Sequence, residues 1–472
     1  MNEGMSLAIQ IIALIIIVYM LLVGFTYVVL FAIGSPRVKR ESKLNRKEQI
    51  EGISINKDTF PVSVLVPAFN EEVGIISTVR SMLGLDYPQF EVIVIDDGSN
   101  DSTSERVIKQ FNMEKIDLAM RKYVQTELIK SAYQSSLYPH LFLVQKENGG
   151  KADALNVGIN FSRYPYFSAV DGDSILDRDA LLKTMKPIID SNGLVTATGG
   201  TVRIANGSTI NHSEVEKISL PKQPLVIMQI IEYFRAFLIG RLGLSRMNIL
   251  LIISGAFGVF EKSRVIKVGG YNSKTVGEDM ELIVRIHRSI KDEKSDQRIE
   301  YIQDPVCWTE APSTLASLRS QRKRWQRGLA ETLWTHRKMM FNPKYKGVGL
   351  FSMPYYLFVE LLSSVFELLG YFVIIFGLLF SFISIEVAIV MFLVTVMYGS
   401  LLSALAVLLE EWTYHKYPDL RSVVILFIWA LTETFWYRPL LVWWRCEGLV
   451  HSLRKKSDWG NMNRKGISND EK

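Results

Sequence analysis

The residue pattern specifies an α/β protein: an open parallel sheet, covered by helices on both faces, set between segments that cross lipid. Three observations carry that expectation. From Pro61 to about Ile189, short β-branched runs alternate with helical stretches, the pattern of a parallel sheet flanked by helices. Long apolar segments precede and follow this region, in a chain of 472 residues of which 48% are hydrophobic. Acidic residues fall where the strands end, at the rim where open α/β sheets gather ligands.

Leu7 to Phe31 is almost uninterruptedly apolar. At roughly 1.5 Å per residue it exceeds the ~20 residues that a spanning helix needs. A cleaved signal peptide is the rival reading, but only Glu3 is charged before the run and the run is long, so an uncleaved anchor is expected. Arg37, Lys39, Arg40, Lys43, Arg46 and Lys47 follow. By the positive-inside tendency they put that flank in the cytoplasm and the N-terminus outside.

The candidate strands are Val62 to Val66, Glu91 to Ile95, Leu141 to Gln145 and Tyr166 to Val170, each followed by turn residues and a helix. Between Met113 and Ser136 the polar sequence is read as a helix-compatible surface insertion without chemistry. Pro224 to Arg241 carries a helical stripe of Leu225, Met228, Ile231, Phe234 and Phe237, which Glu232 and Arg235 interrupt too strongly for it to span. Such a helix either lies flat on a membrane or packs in a core.

Met353 to Ile383 and Ile385 to Leu409 are long enough to cross, whereas Glu433, Arg438 and Pro439 break Val423 to Trp444. Three crossings would leave Arg454, Lys455, Lys456, Arg464 and Lys465 outside, against the positive-inside tendency. Either the last stretch is therefore re-entrant or interfacial, or Leu350 to Ile383 is two elements. Glu360 and Glu367, at ~2.5 to 3.5 kcal/mol each in mid-bilayer, mark a polar path or sit at an interface. The expected division is an anchor (1–34), a linker (35–60), an α/β domain with interfacial helices (61–345), transmembrane or interfacial helices (346–447) and a basic tail (448–472).

The net charge of +6 gathers beside apolar segments, which suits anionic headgroups and nucleotide phosphates, and no basic stripe interleaved with aromatics points to nucleic acid. Cys307 and Cys446 stand far apart, which excludes a disulfide framework and a zinc site.

The chemistry-bearing clusters each admit a structural reading as well. The strand from Val62 ends in Pro67-Ala68-Phe69-Asn70-Glu71, where an aromatic and acceptors could grip a flat base. Asp96-Asp97-Gly98-Ser99 sets adjacent acids at a strand end, unfavourable unless they bind donors or a cation, or face a helix capped at Ser99 or Ser102. Asn148-Gly149-Gly150-Lys151 opens a helix with backbone N–H groups and an ammonium that could reach phosphate, or is an ordinary helix start. Ser254-Gly255-Ala256-Phe257-Gly258 leaves room for a sugar, or is a buried strand with a tight turn. Gly277-Glu278-Asp279 offers a base, or acids that stabilise the start of a helix running through His287. Gln321-Arg322-Lys323-Arg324-Trp325 puts guanidinium forks beside an indole, suited to a sugar diphosphate. As a basic helix on lipid headgroups it would account for Arg322, Lys323 and Arg327.

With Asp171-Gly172-Asp173 directly after the fourth strand, these clusters in this order resemble the membrane-embedded family 2 glycosyltransferases, in the branch of cellulose, hyaluronan and poly-N-acetylglucosamine synthases, from Pro61 to about Trp334. The resemblance implies a GT-A (Rossmann-like) cytosolic domain inserted between transmembrane helices, with an interfacial helix where Pro224 to Arg241 stands. It implies that Phe69 stacks on the uracil of a UDP-sugar with Glu71 nearby, that Asp96 and Asp97 contact uridine, and that Lys151 reaches the diphosphate or sugar. Asp171 and Asp173 match the DxD element, which holds Mg2+ or Mn2+. Asp279 matches the general base, and Glu278, Ser254 and Gly255 fall on the acceptor side. Gln321, Arg324 and Trp325 match QxxRW, with Arg324 on the diphosphate and Gln321 and Trp325 at the acceptor.

The expected reaction is an inverting single displacement. UDP-N-acetylglucosamine is preferred to UDP-glucose as donor, on the GEDMEL segment and the short chain. A processive β-polysaccharide synthase is expected, multi-pass in the cell membrane with its catalytic domain cytoplasmic. Its partners would be a growing polysaccharide or glycolipid acceptor, membrane lipids and export partner proteins. The alternatives are a single transfer to a membrane lipid or lipid-linked acceptor, and an inactive scaffold for polysaccharide export.

Overall fold

The computed structural model describes residues 3–45, 59–117, 120–211, 214–414 and 420–454. The side chains of the basic stretch from Arg37 to Lys47, and the tail from Lys455 onward, lie outside the described residues. The chain divides into two compact units, one formed by Met1–Ser42, Lys222–Arg246 and Pro312–Asn461, the other by Lys43–Pro221, Met247–Ala311 and Met462–Lys472.

The second unit is the α/β one. Its strands in chain order are β1 (Val62–Ala68), β2 (Phe90–Asp96), β3 (Met113–Ile116), β4 (Ile129–Ser135), β5 (Leu141–Lys146), β6 (Tyr166–Val170), β7 (Ile175–Leu176), β8 (Val195–Ile204), β9 (Thr209–Asn211), β10 (Glu214–Lys217), β11 (Phe257–Glu261) and β12 (Arg298–Thr309). Ten form one sheet in the order β3-β4-β5-β2-β1-β6-β11-β8-β12-β7, while β9 and β10 pair separately. The central block β5-β2-β1-β6 is parallel. Buried Val, Ile and Leu fill it, and the helix Lys151–Phe161 and the helix Glu278–Asp292 pack against it through Leu155, Ile159, Leu282 and Ile286.

The sheet is mixed rather than wholly parallel. β11 runs antiparallel to β6 and β8, and β4 antiparallel to β5. The expected helix-compatible insertion is a correction: Met113–Ile116 is an edge strand of the sheet and Ile129–Ser135 is the strand beside it, paired antiparallel. Their mixed polar and apolar residues suit an edge that is only partly covered.

Among the described residues, three helices of the first unit are long and apolar enough to cross a membrane, Gly4–Gly34, Val348–Leu379 and Leu420–Leu453. The last is a correction, since the stretch expected to be broken is one 34-residue helix with Pro439 inside it. Glu433 and Arg438 inside it, and the acids of the neighbouring apolar segment, are answered within the unit. Arg438 Nε and Nη2 donate to Glu367 at 2.6 and 2.8 Å, and Arg235 Nη1 donates to Glu433 at 2.9 Å. Glu360 accepts from Tyr27 at 3.0 Å and Tyr355 at 2.8 Å. Pairing within the unit removes most of the cost of acids in apolar sequence. Pro224–Phe234 is an α-helix that continues through a π-helical turn, Arg235–Arg241, and its apolar stripe is covered by protein within the unit.

Candidate active site

Register builds the site. In the parallel block Ala68 lies opposite Asp96, Asp96 opposite Gln145, and Leu65 opposite Ala169, so the carboxyl ends of β1, β2, β5 and β6 share one rim. Because β11 is antiparallel to β6, with Phe257 opposite Val170, its starting end delivers Ser254-Gly255-Ala256 to the same rim. The Asp171 N–H donates to the Ala256 carbonyl at 3.3 Å and fixes that approach.

Three acids and one ammonium then meet. Lys151, the first residue of its helix, pairs with Asp171, donates to the Gly255 carbonyl at 3.0 Å and stands 4.0 Å from Glu278. Asp279, in the first turn of the helix Glu278–Asp292, accepts from the Gly255 N–H at 3.2 Å through Oδ2 and from the Met280 N–H at 2.7 Å through Oδ1. Lys151, Ser254, Gly255, Glu278 and Asp279 line one small pocket, with Tyr271 on its wall. A side chain at Gly255 would place its Cβ 3.0 Å from Lys151 Nζ, so the ammonium would have to give way by a few tenths of an ångström.

Electrostatics mark the rim as short of positive charge. Burial alone would lower the Lys151 ammonium, but Asp171 and Glu278 outweigh it and the group is held above its ordinary value. Burial and the Asp171 carboxylate push Asp173 up to about 7. Two carboxylates that resist sharing negative charge fit a hard divalent cation, which would take its remaining oxygens from phosphate and water. Among the described residues no cluster of three or more His, Cys, Asp or Glu is placed to hold a metal ion, at the rim or elsewhere.

The neighbouring loops are held by buried ions. Asp96 accepts from the Ser99 N–H at 2.9 Å and from the Ser104 hydroxyl, so its carboxylate organises the start of the helix Thr103–Gln110. Asp97 accepts from the N–H groups of Gly149 and Gly150 at 3.0 and 2.7 Å, and from Lys146. Lys146 is fully buried and also lies 2.8 Å from Asp153. It was not singled out from the sequence, where its only signal is a lysine closing an apolar strand just before Asn-Gly-Gly. Gly150 has φ 85° and Gly98 φ 73°. A Cβ on Gly98 would sit 2.9 Å from the Asn148 nitrogen, so the two loops touch through backbone.

Phe69 ends β1 with its ring 45% exposed, and Glu71 behind it is buried with its N–H donating to the Thr103 hydroxyl at 2.9 Å. Gln321, Arg324 and Trp325 belong to the first unit, on the helix Leu315–Thr335, which Thr314 caps by accepting from the Ser317 N–H at 3.2 Å. Trp325 is 44% exposed. Arg322 corrects the lipid-headgroup expectation, since it is buried and pairs with Glu232 at 2.7 Å. Arg327 pairs with Glu331 at 2.6 Å along its own helix.

Two family models match the sequence, glycosyltransferase like family 2 over residues 60–328 and chitin synthase over residues 256–471. A poly-beta-1,6-N-acetyl-D-glucosamine synthase of Staphylococcus epidermidis is 31% identical over 288 residues, covering 61% of this chain and 56% of that protein. One from Staphylococcus aureus (strain COL) is 32% identical over 292 residues, covering 61% and 58%. The match thus spans little more than half the length of these relatives. Among solved structures, a mannosyltransferase from Pyrobaculum calidifontis in complex with GDP-Man and Mn2+ shares the fold, with a TM-score of 0.51 and 15% identity over 94% of this chain and 100% of that one. With the first family model covering more than half of its residues, and a sheet whose rim gathers Asp171, Lys151, Glu278 and Asp279, the chain belongs to glycosyltransferase family 2.

Proposed function

We propose that the protein is an inverting transferase that moves N-acetylglucosamine from UDP to the hydroxyl of an acceptor saccharide, and repeats the step to build a β-linked polysaccharide. The observation that carries this is the rim pocket, where a carboxylate base, an ammonium and small residues face one space. The sugar and the polymer are supported by the relatives named as poly-β-1,6-N-acetyl-D-glucosamine synthases.

In this reading Asp279 takes the proton from the acceptor hydroxyl. The two backbone N–H groups on its oxygens keep the carboxylate aimed. The hydroxyl oxygen attacks the anomeric carbon on the face opposite UDP, the bond to the diphosphate breaks, and its electron pair leaves with UDP. Inversion follows. Asp171 and Asp173 would hold Mg2+ or Mn2+, which supplies charge neutralisation for the departing diphosphate. Lys151 and Arg324 contribute fixed positive charge to the same diphosphate. Phe69 stacks on the base with Glu71 and Asp96 behind it, while Asp97 acts by shaping the Asn148–Gly150 loop. Ser254, Gly255, Glu278, Gln321 and Trp325 are assigned to the acceptor.

The division into anchor (1–34), linker (35–60), catalytic domain (61–345), C-terminal helices (346–447) and basic tail (448–472) is carried forward with this reading. So are a multi-pass place in the cell membrane, a cytoplasmic catalytic domain, an outward N-terminus, contacts with lipid and polymer, and export partner proteins. Membranes containing the protein, supplied with each radiolabelled UDP-sugar in turn, are expected to make a long β-linked product from UDP-N-acetylglucosamine alone. Chelation with EDTA should stop synthesis and added Mg2+ or Mn2+ should restore it. A product one sugar long would leave the transferase and remove the polymerase, and no turnover of any UDP-sugar would remove both.

A further inference from the structure

The QxxRW pattern leaves its second position open, yet in this chain that position touches two of the three residues that define the pattern. Arg322 Nη1 donates to the Gln321 side-chain oxygen at 2.8 Å, and its guanidinium carbon lies 4.2 Å from the centre of the Trp325 ring. Gln321 and Trp325 can therefore be fixed by one cation, provided that cation cannot move.

It is held. The Arg322 side chain is 3% exposed, and its Nη2 donates to Glu232 at 2.7 Å. Glu232 in turn accepts from the Tyr437 hydroxyl at 2.7 Å through the same Oε2 atom. The three residues come from three helices of one unit, Pro224–Phe234, Leu315–Thr335 and Leu420–Leu453. A planar guanidinium suits this place because its fork serves Gln321 and Glu232 at once while its face lies on the indole; a lysine ammonium, a point charge, could not do all three. A buried charge is costly even when paired, and the Arg322 Nε is left without a hydrogen-bond partner among the described residues, so its place beside an exposed indole needs a reason that apolar packing would not supply.

We propose that Arg322, locked by Glu232 and Tyr437, is a positioning residue that sets the orientation of the Gln321 amide and the Trp325 indole, and thereby the grip on the acceptor sugar. The proposal rests on the reading in which Gln321 and Trp325 meet the acceptor. Arg322 itself does not touch the reacting atoms. One face of the indole is covered by the cation, and the 44% of Trp325 that remains exposed is what a pyranose ring can stack against.

The test uses the full-length protein in lipid nanodiscs, labelled with 5-fluorotryptophan, with the Trp325 resonance assigned by Trp325→Phe. The principal variant is the pair Arg322→Met with Glu232→Gln, which leaves no unpartnered buried charge; Tyr437→Phe loosens the lock while keeping the ion pair. In the paired variant the Trp325 fluorine resonance is expected to shift, and the KM for an added β-linked N-acetylglucosamine oligosaccharide to rise roughly tenfold, from loss of the cation–ring contact and of the Gln321 hydrogen bond. UDP affinity and kcat should stay within about twofold. Tyr437→Phe should raise the same KM roughly twofold to threefold.

A folded variant whose Trp325 resonance and acceptor KM match the wild type overturns the proposal. A fall in UDP affinity in step with the acceptor KM also overturns it, since that marks general loosening. If the wild-type protein transfers no sugar, the transferase reading fails and the acceptor role with it. The fluorine shift would then still establish that Arg322 orients the indole, so the two failures are told apart.

Discussion

The rim of the α/β unit and the interior of the helical unit both concentrate charge, and they treat it in opposite ways. In the helical unit three acids each have an arginine of their own: partly buried Glu232 with Arg322, and buried Glu367 with Arg438 and Glu433 with Arg235. At the rim the Lys151 ammonium pairs with Asp171 and stands 4.0 Å from Glu278, in a pocket that Asp279 also lines. One-to-one pairing is what stability asks of charge in an apolar setting. A surplus of one sign, kept half-buried, is what a site shows when it expects a cation and has a proton to remove.

Asp279→Asn is the sharpest way to break this contrast. It removes the base without changing the shape, so transfer should fall by ~10² to 10⁴ in kcat while UDP binding and the melting temperature hold. Full activity in this variant would move the chemistry elsewhere. In the helical unit the same kind of change should act on stability. Glu367→Ala leaves Arg438 buried without its carboxylate and is expected to cost about 3–5 kcal/mol in unfolding free energy, measured in mixed micelles; Glu367→Met with Arg438→Met should recover most of it. If the single change were silent, the pair would be an ornament rather than a brace.

A third measurement sharpens the rim side by separating its scaffold from its chemistry. His287 lies on the helix that presents Asp279, 1% exposed, with Nε2 at 2.9 Å from the Leu250 carbonyl. Burial holds its ring down at about 4, so the folded state keeps it neutral where an unfolded chain would protonate it. The stability this gives is present above about 6.5 and is lost as pH falls toward 4, by roughly 3 kcal/mol. His287→Gln should flatten that part of the melting curve's pH dependence. An unchanged slope would assign acid sensitivity to other groups.

What could be read from the sequence follows the same divide. β1, β2, β5 and β6 are legible because strands buried on both faces appear as unbroken β-branched runs, and a rim at their ends follows from the parallel order. The edge strand β3 and its neighbour β4 are not, because partly covered strands carry the polar residues that also suit a surface helix. Lys146 was missed and Arg322 misread for one reason: the partner that makes each charge intelligible is distant in the chain. Asp97 is 49 positions from Lys146, and Glu232 is 90 from Arg322. Single residues announce their type, but whether a charge is solvated, paired or poised is a property of the fold.

The smallest expected effect tests whether the rim recognises the base at all. Phe69 is a large aromatic left 45% exposed at the end of a fully buried strand, beside Asn70 in the left-handed region at φ 55°. An exposed ring gains little for stability, so Phe69→Ala should change the melting temperature hardly at all. If the ring stacks on uracil, the same change should weaken UDP by roughly threefold to tenfold, the worth of one aromatic contact of about 0.5–1.5 kcal/mol. Calorimetric titration of UDP into Phe69→Ala and Phe69→Leu separates stacking from mere bulk, because leucine restores area without a π-face. Equal affinity in all three proteins would take Phe69 out of the site while leaving the carboxylate pocket untouched.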